Sequence, residues 1–137
     1  MYSDNSNLIK KFEKMISDDS SIFLDTDEVE EIILYYFNEG DIMMAEKAVE
    51  LGNNLYPNSV NINILYSEIL ILKGEITESY DLIDDMLSIN KNSQDLLFQK
   101  CKILTKLKKY KESISILKDI PKSDQLRFFV LDLLLMT

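Results

Sequence analysis

Apolar residues recur at spacings of three and four along nearly the whole chain, as in Val29, Ile32, Ile33, Tyr36 and Phe37, or Leu82, Ile83, Met86 and Leu87. That period gathers them on one stripe of an α-helix and leaves polar positions on the opposite face. The breaks between stripes predict about eight helices: Asn7 to Ser17, Asp27 to Glu39, Ile42 to Tyr56, Val60 to Lys73, Ile76 to Ile89, Gln94 to Leu107, Lys111 to Ile120 and Asp124 to Met136. The connections are short, so consecutive helices run antiparallel. Three glycines and two prolines in 137 residues are too few turn formers for an all-β chain.

The breaks themselves repeat. Gly40-Asp41-Ile42 recurs 34 residues on as Gly74-Glu75-Ile76, and after a further 34, in altered form, as Lys108-Lys109-Tyr110. Pro57-Asn58-Ser59 recurs at the same interval as Lys91-Asn92-Ser93, and Ala45, Ser79 and Ser113 place a small side chain at one position of every copy. Gly40 and Gly74 fall just past the first helix of a pair, where the chain turns through a left-handed conformation that a Cβ makes costly. Ser59, Ser93 and Ser123 precede helices and can accept hydrogen bonds from first-turn amides, and Asp25 with Glu28 reads as a capping box. A period of this length marks stacked helical repeats. The copies run over about 26–59, 60–93 and 94–123, with a final helix over 124–136. Residues 27–137 thus form one repeat domain, preceded by a capping helix and linker over 1–26.

A 34-residue helix-turn-helix unit resembles the tetratricopeptide repeat, written W-x2-L-G-x2-Y, then A-x3-F, then P. In the first copy Ile32, Tyr36, Ala45, Val49 and Pro57 stand at the L, Y, A, F and P places, with Val29 for the Trp and Ile33 for the first Gly. The second copy offers Ser67, Leu70, Ser79 and Ile83, and the third Cys101, Leu104, Ser113 and Leu117. The resemblance covers about Asp27 to Met136 and implies an all-α, right-handed α-solenoid of antiparallel helix pairs. In that family the first helices of the pairs line a concave groove that takes an extended peptide or a partner helix. Carried over by position, the first copy would supply Asp27, Glu30, Leu34, Phe37 and Asn38. The second would add Asn61, Ile64, Glu68 and Ile71, and the third Asp95, Phe98, Lys102, Thr105 and Lys106. Some members grip a C-terminal carboxylate with a Lys/Asn/Asn/Lys/Arg clamp; Glu30, Leu34, Leu65, Asp95 and Gln99 stand at those places here, so the resemblance does not extend to that ligand.

Charge sharpens the picture. The chain carries a net −9, which argues against nucleic acid as a partner, because a duplex binder needs a basic face. Residues 1–99 hold six lysines and twenty acids, whereas residues 100–118 hold seven lysines and one acid, Glu112. A basic patch of Lys100, Lys102, Lys106, Lys108, Lys109 and Lys111 therefore follows an acidic body, either as a solvated face or as a site for an acidic partner. The groove would be acidic at Asp27 and Glu30 and basic at Lys102 and Lys106, so a ligand with complementary ends would be oriented along it.

Catalytic chemistry has little to draw on. The chain contains no histidine, and its single cysteine, Cys101, stands at a small-residue place where a packed thiol is expected. Asp25, Asp27, Glu28, Glu30 and Glu31 lack the glycine of a calcium loop and enter a helix, whose dipole favours acids at its start. Neither enzyme activity, metal nor cofactor is expected. No apolar run reaches the roughly 20 residues that span a bilayer, and neither a secretory signal nor a cysteine pair is evident, so a cytoplasmic location is expected. The best reading is a scaffold that binds a protein or peptide. The alternative is a structural segment of a longer solenoid, or a subunit that self-associates as a homodimer. The apolar C-terminal helix, through Phe128, Leu131 and Leu135, would supply that contact or lead into further repeats.

Overall fold

The computed structural model describes residues 3–121, and within them every regular element is a helix. The seven described helices are α1 (Ser3–Asp18), α2 (Thr26–Asn38), α3 (Ile42–Leu55), α4 (Val60–Leu72), α5 (Ile76–Ile89), α6 (Gln94–Lys106) and α7 (Tyr110–Lys118). The chain forms two compact units, Met1–Ile69 and Leu70–Thr137, which divide inside α4. The eighth expected helix, with Phe128, Leu131 and Leu135, lies outside the described residues. Helix α1 starts at Ser3 rather than Asn7, since apolar spacing marks a helix's buried stripe and not its polar first turn. Helix α7 stops at Lys118 rather than Ile120, because Pro121 biases the residue before it away from helical geometry.

The repeat is written in backbone hydrogen bonds. After α2, Gly40 N–H donates to the Phe37 carbonyl at 3.1 Å and Asp41 N–H to the Tyr36 carbonyl at 2.9 Å. After α4 the same pair forms from Gly74 to Ile71 at 3.0 Å and from Glu75 to Leu70 at 2.8 Å. After α6 it forms from Lys108 to Thr105 at 3.0 Å and from Lys109 to Leu104 at 2.8 Å. The residue at the centre of each turn is left-handed, with φ of +77° at Gly40, +82° at Gly74 and +62° at Lys108. Each turn satisfies carbonyls that the helix end would leave open. The third does so at a steric cost of roughly 1–2 kcal/mol, because Lys108 carries a Cβ.

Helix starts follow the same economy. The Asp25 carboxylate accepts from Glu28 N–H at 2.8 Å while Asp25 N–H donates to the Glu28 carboxylate at 3.0 Å, a complete capping box for α2. Ser59 Oγ accepts from Ile62 N–H and Ser93 Oγ from Leu96 N–H, both at 3.3 Å.

In the first unit the core runs from Phe12 of α1 through Val29, Ile32 and Ile33 of α2 to Ala45 and Val49 of α3 and Ile62 and Ile69 of α4. Helix α1 is bound into this core: the Phe12 and Tyr36 rings lie 5.9 Å apart, and the Tyr36 hydroxyl donates to the Glu13 carboxylate at 2.9 Å. The segment between α1 and α2 is tied down as well, by the Tyr56 hydroxyl donating to the Leu24 carbonyl at 2.6 Å. Gly52 sets how closely α3 can seat. A Cβ there would stand 2.8 Å from Val29 Cγ1 and 3.2 Å from Ile62 Cγ2, and both side chains are fully buried and β-branched.

In the second unit α6 is packed against both α5 and α7, with Ile83, Leu96, Ile103 and Leu104 at its centre. The Ser113 hydroxyl donates to the Cys101 carbonyl at 3.2 Å, and the Thr105 hydroxyl shares that acceptor at 2.9 Å. Small side chains permit that approach of α7 to α6. Ala45, Ser79 and Cys101 are each 0% exposed, as the repeat requires.

Replacing Lys108 by Gly relieves the strained turn at some entropic cost to the unfolded chain, so the variant is expected to be more stable by up to about 1 kcal/mol. Urea unfolding followed by circular dichroism measures this as a higher midpoint with an unchanged slope.

Candidate protein-binding surface

Within the first unit, the turn after α2 and the burial of Val29, Ile32, Ile33 and Tyr36 fix which side of α2 remains outside. Asp27, Leu34 and Asn38 are exposed, with Leu34 at 42%, while Glu30 and Phe37 are half-buried. The part of α4 in this unit adds Asn61, exposed, and Ile64 and Glu68, half-buried. The face therefore mixes accessible apolar area with carboxylates and amides.

The starts of α2 and α4 enclose an open cleft of about 480 Å³. Asp27, Glu30 and Asn61 line it, and the chain between α3 and α4 supplies an apolar wall of Tyr56 and Pro57, continued by Val60. Burial first, and the Asp27 carboxylate second, push the Glu30 carboxyl above its ordinary value, against a hydrogen bond from Asn61 that favours the charged form. Three expected groove residues are thus brought together. Tyr56, Pro57 and Val60 were read in the sequence only as a turn and a helix start. Their part in the cleft follows from Tyr56 being pinned to Leu24, a contact across 32 residues that no local pattern signals.

In the second unit Asp95, Thr105 and Lys106 are exposed, and Ile71 and Lys102 are half-buried. Phe98 departs from expectation: it is 7% exposed and offers no open surface. Burying a phenyl ring is worth about 1.5–3 kcal/mol, which outweighs a position inferred from repeat alignment. The six-lysine patch also divides. Lys106, Lys108, Lys109 and Lys111 are exposed, but the Lys100 ammonium bonds the Asp84 carboxylate at 2.8 Å and lies 5.4 Å from the centre of the Tyr80 ring. Burial alone would lower the Lys100 pKa, but the Asp84 hydrogen bond and Tyr80 outweigh it and the group is held above its ordinary value.

Cys101 is a packing residue. Burial pushes its thiol pKa up, against the hydrogen bond with Ser113 and the charge of Lys100, so the reactive thiolate is disfavoured. Among the described residues no three His, Cys, Asp or Glu side chains are placed to hold a metal, and no helix is long and apolar enough to cross a membrane.

The family model described as anaphase-promoting complex, cyclosome, subunit 3 matches residues 34–120, most of the described chain. The chain belongs to that family. No curated protein sequence and no solved structure matches it. The anaphase-promoting complex subunit 3 family is a tetratricopeptide-like repeat family, which agrees with the resemblance read from the turns and small residues. Membership makes the chain a helical repeat domain of the protein-interaction type, in a family that is generally non-catalytic.

Glu30 gives the cleft a pH signature. Its folded pKa is raised, so between the ordinary glutamate value and the raised one the folded chain holds the proton more tightly than the unfolded chain does. This group's contribution to stability therefore falls as pH rises through that window. Glu30→Gln should flatten that segment of the stability profile, which urea midpoints measured across acidic pH will show.

Proposed function

We propose that the chain is a non-catalytic scaffold that holds an extended peptide, or an extended segment of a partner protein, against the outer face of α2 and the adjoining part of α4. The observation that carries this reading is the accessible apolar strip of Leu34, Phe37 and Ile64, flanked by Asp27, Glu30, Asn38, Asn61 and Glu68. Apolar anchors supply affinity, and polar neighbours fix register and partner choice. A family named for a subunit of a multiprotein assembly supports a role in protein contacts.

The test uses peptides selected from a random displayed library against the full chain, with affinities then measured in solution. Leu34→Glu places a charge on the strip without touching the core and should weaken selected peptides at least tenfold, about 1.4 kcal/mol. Met43→Glu on α3, at a position 65% exposed and not among the residues of the strip, should leave affinity unchanged. Equal effects from the two substitutions, with both variants folded by circular dichroism, would refute the assignment of the face.

A further inference from the structure

Charge is segregated along this chain at two built features. The first is the cleft at the starts of α2 and α4, lined by Asp27 and Glu30 and by no lysine or arginine. The second is the turn between α6 and α7, where Lys106, Lys108, Lys109 and Lys111 are all exposed and Tyr110 is 52% exposed. Their surroundings carry the same signs: residues 1–99 sum to −14 and residues 100–118 to +6.

The turn is singular among its equivalents. The two earlier turns carry Gly40-Asp41 and Gly74-Glu75, relaxed in the left-handed conformation and acidic. The third carries Lys108-Lys109, with Lys108 held at a φ of +62° where glycine would be unstrained. Its backbone is nonetheless anchored by the Lys108 and Lys109 amide bonds to Thr105 and Leu104. Lys108 thus keeps a strained backbone on an exposed turn, and such strain persists where function or surrounding structure maintains it.

We propose that the lysine turn of one copy docks in the acidic cleft of a second copy, giving a head-to-tail association. The occupant is a second copy because charge complementarity is present in the chain itself: the cleft offers two carboxylates and an apolar wall of Tyr56 and Pro57, and the turn offers ammonium groups on apolar stems beside an exposed tyrosine. Lysine stems pack on such walls while their heads reach the acids. Cleft and turn are different surfaces, so the contact is heterologous, and assembly grows with concentration. The net charge of −9 repels copies at long range, so association depends on short-range alignment of the two sites and is weakened by salt.

Sedimentation of the full chain over a range of concentrations tests the proposal. At about 50 mM salt the weight-average mass should rise with concentration, and at about 500 mM it should fall toward that of the monomer. Two paired variants, Asp27→Lys with Glu30→Lys and Lys108→Glu with Lys109→Glu, should each lower self-association at least tenfold. Mixing them should restore association, because the reversed cleft of one then faces the reversed turn of the other. Circular dichroism establishes that both remain folded, and Lys108→Gly provides a milder variant that removes one charge while relaxing the turn. A chain that stays monomeric at low salt overturns the proposal. So does association indifferent to salt and charge reversal, as contact through the apolar residues near the C-terminus would give, and so does a mixture that fails to associate. The cleft adjoins the proposed peptide face, so a docked copy would compete with peptide, and the two readings are separated with the Lys108→Glu, Lys109→Glu variant, whose cleft is native: a native chain that stays monomeric yet binds library peptides refutes the pairing alone, and a monomeric Lys108→Glu, Lys109→Glu variant that binds none refutes the peptide reading alone.

Discussion

The structure depends on how closely its helices approach one another. Helices come to their usual separation of about 8–10 Å when small side chains occupy the crossing, and this chain supplies them at fixed places. Ala45 is fully buried in the first unit, and Ser79 and Ser113 are buried at the equivalent places in the second. Ser113 shows what a small residue permits, since its hydroxyl reaches the Cys101 carbonyl on the neighbouring helix at 3.2 Å. Gly52 is the extreme case, where even a methyl group would meet Val29 and Ile62. With the approach fixed, the length of each turn is fixed, and the turns determine which side of α2 and which lysines remain outside.

Much of this was legible in the sequence because it is local. Left-handed turns, serine caps and the Asp25–Glu28 box are satisfied within a few residues of one another, so their composition reports them directly. The 34-residue recurrence then carried the assignment across turns in which no glycine survives, and Lys108 adopts the conformation that its alignment with Gly40 and Gly74 implies. Cys101 likewise follows from its place in the repeat.

What the sequence hid is long-range. Gly52 looks like a weak point in a helix, and its value appears only when Val29 and Ile62 are seen above it. Phe98 was assigned to an open face by alignment, yet the drive to bury an aromatic ring draws it inside. Lys100 reads as one of six equivalent lysines until Asp84 and Tyr80 are found beside it. The cleft is the clearest case: two of its acids were expected on the binding face, but its apolar wall comes from chain leading into α4 and is positioned by the bond from Tyr56 to Leu24. Charge pattern suggested a polar surface, and tertiary packing gave that surface a shape.

The central claim is that buried small residues at a 34-residue period set the helix spacing, and Ala45→Leu tests it most directly. Measured by urea unfolding beside Lys47→Leu, an exposed position on the same helix, Ala45→Leu should lose about 1–3 kcal/mol through overpacking, while the control changes by no more than about 0.5 kcal/mol. If both substitutions left stability within that smaller margin, Ala45 would not be setting the spacing and the account would be contradicted.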